Sequence, residues 1–197
     1  MAGPLASETE VVNLSLAKLG HPQIGDLDDP SAEASLIRAI WATCRDATLR
    51  SHPWNFAIAR ITLEPEVEGP VWGYDFRYRL PDDPWCLRVL EVQDEGRGRI
   101  LDAEWNVEGR WIVTNLGSKL NIRFVFRETV VENWDPLFIE AVSDRLASDL
   151  AEAIIKSAEA QERFFRRYEK RIAEARSMDG MEGTPPVIED LELIAVR

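Results

Sequence analysis

The run Leu49–Arg60, LRSHPWNFAIAR, decides how this chain is built. Apolar residues recur at helical spacing before it and alternate after it, and the change falls at Pro53–Trp54–Asn55–Phe56. The proline ring disfavours the helical conformation at His52, so a helix running into this stretch must end there. His52, Pro53, Trp54, Asn55 and Phe56 are therefore the candidates for a structural corner, with Trp54 and Phe56 as its core anchors.

Upstream of the corner, a first helix is expected from Ser7 to Leu19, with Val11, Leu14 and Leu19 on its apolar face and Gly20 as its stop. Asp29 followed by Pro30 marks the start of a second, since the carboxylate can cap free amides and proline loses no needed donor in a first turn. Leu36, Ile40, Cys44 and Ala47 or Thr48 then recur at helical spacing. Downstream, strands are expected over 56–63, 74–80, 85–92, 99–105, 110–114 and 120–127, and the short connections between several of them favour antiparallel hairpins. In the last, Leu120, Ile122, Phe124 and Phe126 share one face and Asn121, Arg123, Val125 and Arg127 the other.

Asp135–Pro136 restarts helix, and Phe138, Val142, Leu146, Leu150 and Ile154 form a stripe at every fourth position that needs a partner. Past a break near Ser157 the partner supplies Phe164, Phe165, Tyr168, Ile172 and Ala175. From Ser177 onward the glycines and prolines, Gly180 first, argue against helix. The predicted fold class is α+β: a four-helix bundle built from both chain ends, an inserted antiparallel β region and an extended C-terminal arm. The boundaries expected are 1–55 for the first helical pair, 56–130 for the β insertion, 131–177 for the second pair and 178–197 for the arm.

The 197 residues are 45% hydrophobic and include seven tryptophans, enough to bury a full core. A net charge of -12 argues against a main role in gripping phosphates, because that affinity comes from Lys and Arg displacing counterions. No apolar run reaches the roughly 20 residues of a membrane-spanning helix, and MAGPLASETE lacks the regions of a signal peptide, so a soluble cytosolic protein with no membrane partner is expected. Two cysteines, Cys44 and Cys86, are too few for a disulfide scaffold or a four-thiolate zinc site and read as buried thiols.

Catalytic logic is missing from the sequence. His21 and His52, the only histidines, stand in no metal-ligand spacing, and neither a GxSxG elbow nor a phosphate loop nor a dinucleotide fingerprint occurs. Gly96 and Gly98 in EGRGR suit a hairpin turn. Asp26, Asp28 and Asp29 lack the glycine and bidentate glutamate of a calcium loop, and Asp82 and Asp83 sit between prolines in a turn. No catalytic residue, metal ligand or cofactor is expected. The last helix holds more interest: from Gln161 to Arg176 six Lys or Arg residues stand against three Glu. Arg163, Arg166, Arg167, Lys170 and Arg171 could face nucleic acid, solvent or an acidic partner such as another copy of the chain.

Several motifs together resemble the tail tubular protein A family, the head-to-tail adaptors (connectors) of tailed bacteriophages. They are Leu16 to Gly20, the turn Pro22 to Ile24, the acidic loop Asp26 to Asp29 and the run Leu49 to Ala57. Further on, Tyr78 to Asp82 resembles the family's strand exit, Cys86 to Leu90 its Leu–Arg–Val strand and Asn121 to Phe124 its late strand. The resemblance covers most of residues 8–175 in order. Pro84 and Trp85 lengthen one loop relative to the family, and the acidic segment after the last helix has no counterpart.

The resemblance implies a structural virion protein without enzymatic activity. It would form a homo-oligomeric ring, expected to be a dodecamer, that docks under the portal protein and carries a downstream tail or nozzle protein. DNA would pass through the channel without sequence-specific binding. The site implied is the virion neck, after assembly in the bacterial host cytoplasm, and Arg163, Arg166, Arg167, Lys170 and Arg171 become candidates for the portal or subunit interface. A nucleic-acid-binding regulator using that basic helix is the alternative, and a hydrolase with an unfamiliar site a third.

Overall fold

Four helices and two small antiparallel sheets make a mixed α+β molecule. The computed structural model describes residues 7–94, the backbone of 98–99, and residues 105–182. Helix α1, Glu8–Leu19, opens with a capping box: the Ser7 hydroxyl accepts from the Glu10 amide and the Glu10 carboxylate accepts from the Ser7 amide. It closes at Gly20, whose φ of 72° lets two amides turn back onto the last carbonyls. Asn13 then clamps the following turn from both sides, donating to the Ile24 carbonyl at 3.0 Å and accepting from its amide at 2.9 Å.

Helix α2, Ala32–Arg50, begins two residues later than the Asp29–Pro30 signal suggests. Ser31 caps it, and the Asp29 carboxylate is spent on the Ser31 amide in the preceding turn. Its buried face is Ala34, Ile37, Trp41, Cys44, Thr48 and Leu49, with Leu36 and Ile40 at the margin of the core. Helix α3, Pro136–Ile155, starts as the sequence predicts, the Asp135 carboxylate accepting from the amides of Leu137 and Phe138. Lys156 adopts the left-handed conformation (φ 51°) and Ser157 caps helix α4, Ala158–Met181. Helix α4 therefore passes through Gly180 and ends four residues beyond the expected boundary at 177. The remainder of the expected arm, 183–197, lies outside the described residues, as does 100–104 of the expected strand 99–105.

Helix α3 is the shared element of the helical layer, packing against α1, α2 and α4. Phe138, Ala141, Val142, Leu146, Ala147, Leu150 and Ala151 are all fully buried on it, the alanines letting the neighbouring helices approach closely. One core receives residues from all four helices, so the two ends of the chain meet in it.

Between them the chain forms β1 (Ile58–Leu63), β2 (Phe76–Arg79), β3 (Cys86–Asp94), β4 (Gly98–Arg99), β5 (Trp105–Glu108), β6 (Trp111–Thr114) and β7 (Leu120–Phe126). The first sheet has the order β1-β7-β3-β4 and the second β2-β6-β5, with every pairing antiparallel. Leu63, Tyr78, Leu80, Cys86, Val92, Ile112, Leu120, Ile122 and Phe124 fill a second core between the sheets. Strand β7 serves both cores by its alternation: Leu120, Ile122 and Phe124 point into the second, while Val125 joins the helical one. That double burial departs from the single buried face expected of this strand.

Candidate functional site

The corner Leu49–Arg60 sits where the helical layer meets the first sheet. Pro53 ends the approach from α2, a 3-10 turn over Asn55–Ala57 follows, and β1 leaves at once. Trp54 has no exposed surface; its indole N–H donates to the Thr48 carbonyl at 3.2 Å, tying the turn to the last helical turn. Its ring contacts Phe56, Phe138 and the edge of His52, with centroids 6.1, 5.1 and 4.7 Å away. Phe138 also meets Phe56 and Trp134, and Trp134 leads on to Trp41. This aromatic group locks the corner onto α2 and α3 by burial and by edge-to-face contacts.

The polar side chains of His52 and Asn55 share one destination, Asp179 near the end of α4. His52 Nε2 lies 2.9 Å from Asp179 Oδ2, and the Asn55 amide donates to Oδ1 at 2.9 Å. The Asn55 side-chain amide donates to the Asp179 backbone carbonyl at 2.8 Å. Asp179 is thus the third member of a clamp that the sequence reading missed. The local signal misled: Asp-Gly after a helical run reads as a stop, and the partners that carry the helix through it lie 124 and 127 positions earlier.

The five candidate interface residues of α4 divide into two groups. Arg171 Nε lies 2.8 Å from Asp144 Oδ2 and its Nη1 3.3 Å from Glu140, while Arg167 approaches Asp144 at 3.4 Å. Lys18 of α1 reaches the same pair, at 2.8 Å from Asp144 and 3.2 Å from Glu140. Asp144 is fully buried against these cations, and Lys18 also donates to the Glu140 carboxylate and the Ser143 hydroxyl, so ion pairs and hydrogen bonds join α1, α3 and α4 here. The i, i+4 spacing of Glu140 with Asp144, matched by that of Arg167 with Arg171, is the sequence signal that could have found it.

Arg163, Arg166 and Lys170 take no part in that junction and are exposed, as is Arg167 itself. Arg166 pairs with Glu162 at 2.5 Å one helical turn away, and Arg163 lies over the Phe164 ring. Lys170 makes no ion pair among the described residues. Phe165, Met178 and Met181, respectively 48%, 49% and 73% exposed, add apolar surface to this helix. The exposed surface of α4 is accordingly apolar in places as well as basic, rather than a continuous basic stripe.

Of the other groups weighed in the sequence, Asp26, Asp82 and the two cysteines serve the fold, and Gly96 lies outside the described residues. Asp26 accepts from the Asp28 amide within its own turn. Asp82 accepts from Arg79 and Arg110; the hydrogen bonds from Arg79, with its charge and those of Arg110, hold its carboxyl below the usual range. Arg110 also stacks over Trp85 at 3.9 Å. Burial pushes the Cys44 thiol up to about 12 and that of Cys86 to about 11, so neither is a reactive thiolate near neutrality. Among the described residues no three His, Cys, Asp or Glu side chains are grouped to hold a metal ion, and no helix is long and apolar enough to cross a membrane. Comparison with protein-family models finds no match to this chain, and comparison with curated proteins finds none either.

Proposed function

We propose that this chain is a head-to-tail adaptor, a structural virion protein of a tailed phage or a phage-derived element. Its copies form a ring, expected to be a dodecamer, that docks under the portal protein, carries the downstream tail or nozzle protein and lets DNA pass through its centre. It acts in the virion neck after assembly in the host cytoplasm, without enzymatic activity and without a cofactor. In this reading the helices act as one four-helix bundle with the sheets as its insertion, and the segment beyond Met181 is an extended arm for contacts outside the subunit.

The observation that carries the reading is the use made of the corner motif. His52, Trp54 and Asn55 spend their polar atoms on Thr48 and Asp179 within the subunit. A motif used in this way supplies rigidity between two parts of a subunit, which a ring under load requires. The acidic body also suits a lumen that should release DNA.

Electron micrographs of the purified chain, alone and mixed with the portal protein of the same genetic element, test the proposal. Rings of uniform size are expected in at least one setting, and their absence from both over a wide concentration range refutes it. The exposed Arg163, Arg166 and Lys170 favour a second reading, a nucleic-acid-binding regulator, which predicts retention on DNA that depends on these three side chains.

A further inference from the structure

Val67, Val71 and Trp72 are 102%, 100% and 86% exposed, three large apolar side chains within six residues. They crown the loop 64–75 between β1 and β2, which is firmly held below them. The Glu66 amide donates to the Arg77 carbonyl at 2.9 Å, and the Asp75 amide donates to Asn115 Oδ1 at 3.0 Å. The chain crosses itself so closely at Gly69 that a Cβ there would stand 2.5 Å from the Asp75 carbonyl oxygen. A tip presented on such a base has already lost much of the freedom that docking would otherwise cost. Tryptophan is also the residue type most enriched among the anchors of protein interfaces.

The loop is acidic as well as apolar. Glu64, Glu66, Glu68 and Asp75 lie in it with no Lys or Arg; Glu64 pairs with Lys119 at 2.6 Å and Glu68 with Arg77 at 3.9 Å, while Glu66 makes no ion pair among the described residues. Its complement lies on the same molecule. A groove of about 360 Å³ crosses β1, β7 and β3 at the end of the first sheet away from Val125, lined by Arg60, Ile61, Thr62, Glu91, Gln93 and Arg123 among others. Arg123 pairs with Glu91 at 3.5 Å, whereas Arg60 is exposed and makes no ion pair among the described residues. The groove lies on the polar face of the sheet, with Arg60, Thr62, Asn121 and Arg123 on one side of the pleat and Ile61, paired with Ile122, on the other, and it carries an uncompensated guanidinium that an indole can cover.

We propose that the Trp72 tip of one copy docks in the Arg60–Arg123 groove of a second copy. The contact we infer is a single, head-to-tail one, which leaves a free tip on one copy and a free groove on the other. Such contacts propagate until a ring closes. The proposal rests on the adaptor reading only in that both require copies of this chain to associate.

The asymmetry supplies the test. Trp72→Ala removes the tip, and Arg60→Glu reverses the groove; both side chains are exposed, so neither change disturbs a core, as circular dichroism and thermal melting will verify. Mass photometry of the full chain, alone and on the portal protein, is expected to show assembly by the parent chain and self-association at least about 30-fold weaker in either variant. Mixing the two variants pairs the intact tip of one with the intact groove of the other, so one-to-one dimers are expected and nothing larger. Assembly of Trp72→Ala at the parent's concentration dependence overturns the docking and leaves the adaptor reading standing. A mixture that stays monomeric where the parent assembles also overturns it. If Trp72→Ala forms normal rings that no longer bind the portal protein, the tip belongs to the portal contact and docking between copies is refuted. Monomers of the parent chain in both settings refute both readings.

Discussion

Trp54 joins more of the molecule than any neighbour in its segment, since its ring lies between His52, Phe56 and Phe138 while its N–H reaches back to Thr48. Trp54→Ala opens a cavity at that junction and is expected to cost about 3–5 kcal/mol, measured by urea unfolding. Against the roughly 5–15 kcal/mol by which domains are stable, that loss leaves little. Cys44 tests the core in another way. Its thiol ionises near 9.0 in an unfolded chain and only at about 12 when buried, so between these values the unfolded state binds fewer protons than the folded one. Stability therefore falls as pH rises above about 9, by up to ~1.4 kcal/mol per pH unit from this group. Cys44→Ala is expected to flatten that alkaline slope in denaturation curves taken from pH 8 to 11. Cys86 and Tyr78, raised to about 11 and about 12 chiefly by burial, keep some slope in the variant. The aromatic anchors and the core thiols were legible in the sequence because their side chains can satisfy themselves only by burial. Asp179 was not, because a carboxylate looks the same whether it clamps a corner or meets water.

Helix starts are decided by short-range chemistry, and the sequence displays two of them closely: Asp135 with Pro136 caps α3 as expected, and α1 begins one residue past the expected Ser7, which is its cap, whereas α2 starts two residues past the Asp29–Pro30 signal. Between α3 and α4 the chain turns through Lys156 at φ 51°, ψ 42°, a conformation that an L-residue other than glycine adopts at a cost. Lys156→Gly relieves it and is expected to raise stability by about 0.5–1 kcal/mol, a few degrees in a thermal melt, with the helices unchanged. Helix ends are less legible. Gly180 reads as a stop, yet α4 continues to Met181 because His52 and Asn55 take hold of Asp179 from the other end of the chain. The helix face of Arg167 and Arg171 is likewise decided by Asp144, whose full burial in α3 nothing local announces.

Over the whole molecule, charge is sorted rather than spread. The structure draws Arg171, and at longer range the exposed Arg167, onto Asp144 and leaves Arg163, Arg166 and Lys170 to the outside of an acidic protein. Replacing those three by Glu is expected to change stability by no more than about 1 kcal/mol in urea unfolding, as at other surface positions. In the adaptor reading the same variant loses binding to the portal protein or to neighbouring copies in mass photometry, with no change in retention on DNA; the regulator reading predicts the reverse. The sequence by itself determined the α+β class, the helical ends around a strand-rich middle and the corner at Pro53, because hydrophobic period, proline geometry and capping act within a few residues. Tertiary structure alone decided that Asp179 closes the corner, that Asp144 draws in two arginines and a lysine, and that the Trp72 tip stands clear of its own sheet. The first two outcomes depend on which side chains separate elements bring together, and the third on backbone contacts at the base of the loop; spacing can hint at a pairing, but only the packing decides it.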